Sequence, residues 1–264
     1  MPVTSRYLRL TLYTVLILVG AVVAGGWAMQ QAKHHALEES ARRGPEQLSL
    51  YANSLHTLIE RYRALPAVLA QDPERIAALA GHVAPEVQAQ LNRKLERING
   101  AAQSSTLELL DSTGLAVAAS NWNTSNSYVG HNYGFRPYFS QTRSQGTGRF
   151  YAVGVTSGIP GYFLSSAVHD GGGRFLGAIV VKLEFPQLER EWSQGSDTLL
   201  VSDARDIVFI ANQPGWRYRH LRPLNDSDRD NITVTRQYDK QPLTLMPTRT
   251  LRVFDDQSFL TQVD

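Results

Sequence analysis

Between Leu10 and Met29 the chain reads LTLYTVLILVGAVVAGGWAM, an apolar run with no charged residue. At about 1.5 Å per residue, such a run can cross the roughly 30 Å hydrocarbon core of a bilayer as one helix. It exceeds the ~7–15-residue apolar core of a secretory signal, and the MQQAKHH that closes it offers no A-x-A-like cleavage site. An uncleaved anchor is therefore expected ahead of a cleaved signal or a buried helix. Arg6 and Arg9 flank it on one side and Lys33, Arg42 and Arg43 on the other, so basic residues orient it only weakly. The short tail, residues 1–9, is expected in the cytoplasm and the polar remainder outside it.

That remainder is long enough for one or two domains, and 42% hydrophobic content supplies their cores. The net charge of +2 gives no reason to expect a nucleic-acid partner. With no cysteine, disulfide frameworks, thiolate zinc sites and thiol catalysis drop out together.

After the anchor, Leu48, Tyr51, Ala52, Leu55, Leu58, Ile59, Tyr62 and Leu65 recur three and four apart. The pattern predicts a helix with one apolar face, packed either on its own domain or as a dimer seam. Pro45, after Gly44, marks the weak point of that helix. Asp72-Pro73 is placed to start a helix ending at Gly81, and Pro85 another ending near Gly100. Residues 30–103 thus form a helical stalk and helices.

From residue 106 the period changes to that of strands. TLELLDSTGLAVAAS places two apolar runs around a D-S-T-G turn, and TLLVSDARDIVFIAN, beginning at Thr198, repeats the design with Asp203 for Asp111 and Ile207 for Leu115. Two tandem mixed modules with antiparallel sheets are expected, at 104–190 and 191–264. RFYAVGV, GYFLSSAV and FLGAIVVKLEF, joined by turn-rich connectors, are predicted as three further strands of the first sheet.

Residues 130–163, GHNYGFRPYFSQTRSQGTGRFYAVGVTSGIPGYF, gather eight Phe and Tyr rings around an Arg-Pro pair. Arg136 presents a planar fork suited to a carboxylate. Pro137 confines Arg136 to extended or turn geometry, just before a helix through YFSQTRSQG. Lys182 is the lone charge of AIVVK, and spacing alone reads it either as a water-facing strand residue or as an inward cation that needs an anion. Tyr138, Phe135 and Tyr162 are expected to line a pocket or pack the core, and His131 reads as structural rather than metal-binding.

The blocks SNWN, YVGHNYGFRPYF, GRFYAVGVTSGIPGYFLSSAV, GAIVVKLEF and IVFIANQPGWRYRHL strongly resemble the extracytoplasmic sensor region of C4-dicarboxylate transport sensor histidine kinases, from the anchor to about Leu221. The resemblance implies an α+β fold: a transmembrane helix, a long helix and two PAS-like modules, together a double Cache domain. The first module would be membrane-distal and bind succinate, fumarate or malate. The second would be membrane-proximal and incomplete at Asp264. It implies that Tyr133, Arg136, Thr156, Gly158 and Lys182 bind the ligand, with Arg136 and Lys182 each taking one carboxylate. It also implies a periplasmic sensor with a single span in the inner membrane, a homodimer, contact with membrane lipid through residues 10–29, and a response regulator reached through a kinase part beyond Asp264. ATP and Mg would belong to that part, and no cofactor is expected in this chain.

No catalytic constellation is apparent. Ser157 has no local histidine partner, the seven histidines lack metalloprotease spacing, DGGGR lacks a P-loop lysine, and Asp226-Ser227-Asp228 lacks the further oxygens of a cation loop. The other functional class that these features allow is the sensor region of a chemoreceptor or cyclase-linked receptor for another small carboxylate.

Overall fold

The computed structural model describes residues 3–81, 84–195, 197–253 and 259–263. Helix α1 (Val3–Arg63) passes through Pro45 without a break, so the expected weak point costs one main-chain hydrogen bond rather than the helix. The side chains of residues 10–15 and 17 of the predicted span fall outside those described. Among the described residues no helix is long and apolar enough to cross a membrane. Along α1, Leu16, Leu18, Val19, Val22, Val23, Trp27 and Met29 are exposed.

The chain divides into two units, residues 1–54 with 249–262, and residues 55–248 with 263–264. In the first, Leu48 is 62% exposed. In the second, Tyr62 is buried and its hydroxyl donates to the Gln103 carbonyl at 3.0 Å, so this end of the apolar stripe packs on its own chain.

Three short helices follow: α2 (Leu65–Ala70), α3 (Pro73–Ala80) and α4 (Pro85–Ala102). Asp72 caps α3 by accepting from the Glu74 amide, as Asp-Pro punctuation predicts. Helix α4 outruns Gly100 and stops where Gln103 turns left-handed.

Strands β1 (Thr106–Asp111) and β2 (Ala116–Ala119) form the predicted hairpin. Helix α5 (Pro137–Gln145), starting directly after Arg136, leads to β3 (Thr147–Val153), β4 (Pro160–His169) and β5 (Phe175–Leu183). The sheet runs β2-β1-β5-β4-β3 with antiparallel neighbours. Period-two alternation divides its strands between two covered faces. On one, Leu110, Ala178, Val180 and Phe163 form a core with Tyr128, Tyr133, Tyr138 and Phe139. Helices α2, α3 and α4 also contact the sheet, and the alternate residues Leu107, Leu109, Ile179 and Val181 are fully buried.

After α6 (Pro186–Ser193) comes a second hairpin, β6 (Leu200–Ser202) with β7 (Val208–Ala211). Its turn repeats the main-chain bonds of the first. Asp111 Oδ1 accepts from the amides of Thr113 and Leu115 at 2.8 and 3.0 Å, and Asp203 Oδ1 from those of Arg205 and Ile207 at 2.9 and 3.0 Å. Gly114 is left-handed at φ 90° in one turn and Asp206 at 60° in the other. Strand β8 (Arg219–His220), helix α7 (Asp226–Thr235), β9 (Thr244–Leu245), β10 (Thr248–Val253) and β11 (Phe259–Val263) complete the order. A capping box opens α7, with the Asn225 side chain accepting from the Asp228 amide, which identifies the Asp226–Asp228 run as a helix start. The whole is a mixed helix-and-sheet chain built around an antiparallel sheet.

The two turns give a paired stability test. Asp111→Ala is expected to cost about 1–2 kcal/mol in urea unfolding. Asp203→Ala should cost more, because Asp203 Oδ2 also accepts from Tyr238 Oη at 2.8 Å and Gln237 Nε2 at 3.3 Å, against the one further bond of Asp111, from Thr113 Oγ1 at 2.7 Å. Equal costs would show that these extra bonds contribute nothing.

Candidate functional site

The two predicted cations converge on one side of the sheet. Register opposes Lys182 to Phe163 on β4 and Glu108 to Val180 on β5, which puts Glu108, Phe163 and Lys182 on the same face. Lys182 is fully buried, which settles its direction as inward. Its Nζ donates to Glu184 Oε1 at 2.6 Å, Ser157 Oγ at 3.2 Å and Tyr128 Oη at 3.3 Å. A glycine makes room for it: a Cβ at Gly161 would lie 2.7 Å from Lys182 Cε.

Arg136 is 1% exposed and sits at the N-cap of α5 in extended geometry, as Pro137 requires. Its guanidinium is committed to main-chain carbonyls. Nη2 donates to Val153 O at 2.6 Å, and Nη1 to Thr235 O and Arg236 O at 3.0 and 2.9 Å, the last two at the C-terminus of α7. Carbonyls satisfy N–H groups but leave the formal charge unneutralised. No carboxylate among the described residues lies within ion-pair distance of Arg136, whereas Lys182 has Glu184. Burial pushes the Arg136 guanidinium below its ordinary value.

Beside Arg136 lies a small cavity, with room for about one water, lined by Glu108, Tyr128, Tyr133, Arg136, Tyr138, Gly154, Val155, Thr156 and Phe163. Tyr133 Oη and Thr156 Oγ1 are 2.7 Å apart, and Tyr138 stacks on Phe163 with ring centroids 5.2 Å apart. Burial raises the hydroxyls of Tyr128, Tyr133 and Tyr138 above the ordinary phenol value, keeping them neutral donors. Tyr133, Arg136 and Thr156 thus line one space, and Lys182 reaches it through Tyr128. Gly158 does not line it: the residue is exposed, left-handed at φ 69°, and its amide donates to Gly154 O at 2.7 Å. Of the rings, Tyr138 lines the cavity, Phe135 has the Arg136 and Arg236 guanidinium groups 5.2 and 5.3 Å from its ring centre, and Tyr162 packs beside Tyr151. Among the described residues no acidic, His or Cys cluster could hold a metal.

Sequence inspection passed over Glu108, Tyr128 and Glu184. The signal was present for Glu108, a single charge within the apolar strand TLELL, the same pattern that drew attention to Lys182. Glu108 is 1% exposed, and burial pushes its carboxyl up to about 8, an effect that the Lys182 and Arg136 charges only partly oppose.

No family model matches the chain. It is 36% identical, over 92% of its length and 38% of the relative's, to the C4-dicarboxylate transport sensor protein DctB of Rhizobium meliloti. It is 33% identical, over 83% of its length and 36% of the relative's, to the protein of the same name from Pseudomonas aeruginosa. The chain therefore spans under two-fifths of the length of these relatives. The sensor domain of the V. cholerae histidine kinase DctB superposes with a TM-score of 0.77 at 24% identity, covering 86% of this chain and 91% of that one. The ligand-binding domain of the Campylobacter jejuni chemoreceptor Tlp3, in complex with 4-methylisoleucine, superposes with a TM-score of 0.52 at 10% identity, covering 74% of this chain and 77% of that one. Both structural likenesses concern the fold alone.

A carboxyl whose folded value is raised above its ordinary 4.5 ionises first in the unfolded chain. Its contribution to stability is complete below 4.5 and is lost as pH rises to about 8. Glu108→Gln should remove that dependence, so the variant's advantage in unfolding free energy grows across this window. A difference that stays constant with pH would mean Glu108 is ionised in the folded protein.

Proposed function

Because this chain belongs with the C4-dicarboxylate transport sensor proteins, we propose that it is the sensor region of a two-component sensor histidine kinase that binds C4-dicarboxylates outside the cytoplasm. The observation that carries this is a buried guanidinium, Arg136, which has hydrogen-bond acceptors but, among the described residues, no counter-ion, and which faces the same small cavity that Lys182 approaches from the sheet. One cation lining a ring-walled space and a second bonded to its Tyr128 wall match an acid charged at both ends. With room for about one water in this structure, the gap is proposed to widen on binding to take a small acid such as succinate, fumarate or malate. Tyr133, Thr156 and Tyr128 supply hydroxyl donors. Binding is proposed to exchange some of the carbonyl contacts of Arg136 for the ligand carboxylate.

In this proposal residues 10–29 form a single span of the inner membrane, contact lipid, and leave the sensor in the periplasm. The exposed apolar side chains from Leu16 to Met29 on α1 support it, because so long an uncovered apolar run suits a lipid surface. The repeated main-chain bonds of the Asp111 and Asp203 turns support two tandem PAS-like modules, at 104–190 and 191–264. A homodimer paired along α1, with a kinase part and its response regulator beyond this chain, completes the proposal. The kinase part would carry the ATP and Mg. Gly158 enters only as a loop residue whose conformation presents Thr156.

Calorimetry with succinate, fumarate and malate is expected to show saturable binding by the wild-type chain. Arg136→Lys should weaken it at least tenfold, because a point charge does not reproduce the fork, and should lower the melting temperature by freeing three carbonyls. Heat and melting temperature unmoved by all three acids would sink the proposal. Cysteine at Leu48 should cross-link two copies in membranes more efficiently than cysteine at Ser49, with a yield altered by succinate. Equal yields at both positions would remove the α1 seam.

A further inference from the structure

Glu108 lies in the middle of β1, 1% exposed, and lines the same cavity as Arg136, Tyr133 and Thr156. Its Oε2 has no hydrogen-bond partner. Buried carboxyl oxygens are almost always partnered, and an apolar residue at this position would serve the core better. The register of β1 on β5 places Glu108 on the face from which Lys182 rises, so its carboxyl lines the Arg136 cavity on the same side of the sheet as Lys182.

We propose that Glu108 contacts the bound acid directly: its carboxyl, carrying its proton, donates a hydrogen bond through Oε2 to a ligand carboxylate oxygen, so that binding requires that proton. This rests on the dicarboxylate reading above. Charge balance supports it. Arg136 and Lys182 provide two positive charges, of which Glu184 already faces one at 2.6 Å. A dianion adds two negative charges, and an ionised Glu108 would add a further one inside the same low-dielectric space, where like charges repel most strongly. The groups that face Glu108 are Lys182 from β5, Arg136 and Tyr138 from the start of α5, and Tyr128 and Tyr133 from the loop before it. Burial keeps the three tyrosines neutral. The same burial pushes the free Glu108 carboxyl up to about 8, and a dianion beside it holds the proton more firmly still. Ligand affinity is therefore flat below this range and falls above it, by at most about tenfold per pH unit for one obligatory proton.

The test is succinate calorimetry on the full chain between about pH 6 and about pH 9, with the melting temperature of each protein recorded at every pH. Wild type should show the alkaline loss. Glu108→Gln, which keeps a donor in the same place, should bind within about threefold of wild type at neutral pH and lose the alkaline slope that one proton imposes. Glu108→Leu should melt no lower than wild type yet bind at least about tenfold more weakly at neutral pH. A Gln variant that keeps the full wild-type slope, or a folded Leu variant that binds as tightly as wild type, overturns the inference while leaving dicarboxylate binding intact. A wild-type chain that binds succinate at no pH overturns both.

Discussion

The guanidinium of Arg136 is the contact on which the arrangement of the site depends. Three carbonyls from separate parts of the chain, at the end of β3 and at the last turn of α7, point at one side chain. Hydrogen bonds to a charged donor contribute about 1.5–3 kcal/mol each, and these would lose their donor together. The register of α7 against the first sheet is therefore set at the same atom group that borders the cavity. Neighbouring contacts reinforce it: Val153 N donates to Gln237 O at 2.8 Å, and Gln237 Nε2 donates to Tyr151 O at 3.2 Å.

Around that contact the polar groups are distributed unevenly. Lys182 is fully served by a carboxylate and two hydroxyls, Arg136 is served in hydrogen bonds but not in charge, and Glu108 has an oxygen with neither. A core selected for stability alone would place apolar residues at all three sites, since desolvating ions is seldom recovered by pairing them. Their burial against well-packed strands is what the proposed binding role would require, since local rules yield at functional sites. The aromatic walls then strengthen every remaining electrostatic interaction by excluding water.

Much of the fold was legible because its punctuation is local. The D-S-T-G turn, Asp72-Pro73 and Arg136-Pro137 act within a few residues of themselves, and each element begins where its punctuation predicts. The Asp203 copy was readable for the same reason. Lys182 was ambiguous because both faces of this sheet are covered, so alternation separates two faces without naming a wet one. Glu108 carried the same signal on a strand read only as half of a hairpin. The carbonyls that hold Arg136 lie 17, 99 and 100 residues along the chain, beyond the reach of any local pattern. Gly158 was named from the resemblance alone, and it turns left-handed outside the cavity that Thr156 lines. Pro45 misled because a long helix absorbs one missing bond that would end a short one.

The C-terminus of α7 carries about half a negative elementary charge from its aligned peptide dipoles, and the Arg136 cation sits directly upon it. This makes the guanidinium a screen between a helix end and whatever anion enters the cavity. An anion that draws positive charge toward itself leaves the α7 terminus under-compensated. Occupancy can then be reported to the far side of the screen as a change in electrostatic potential, and the main chain need hardly move for the helix to register it.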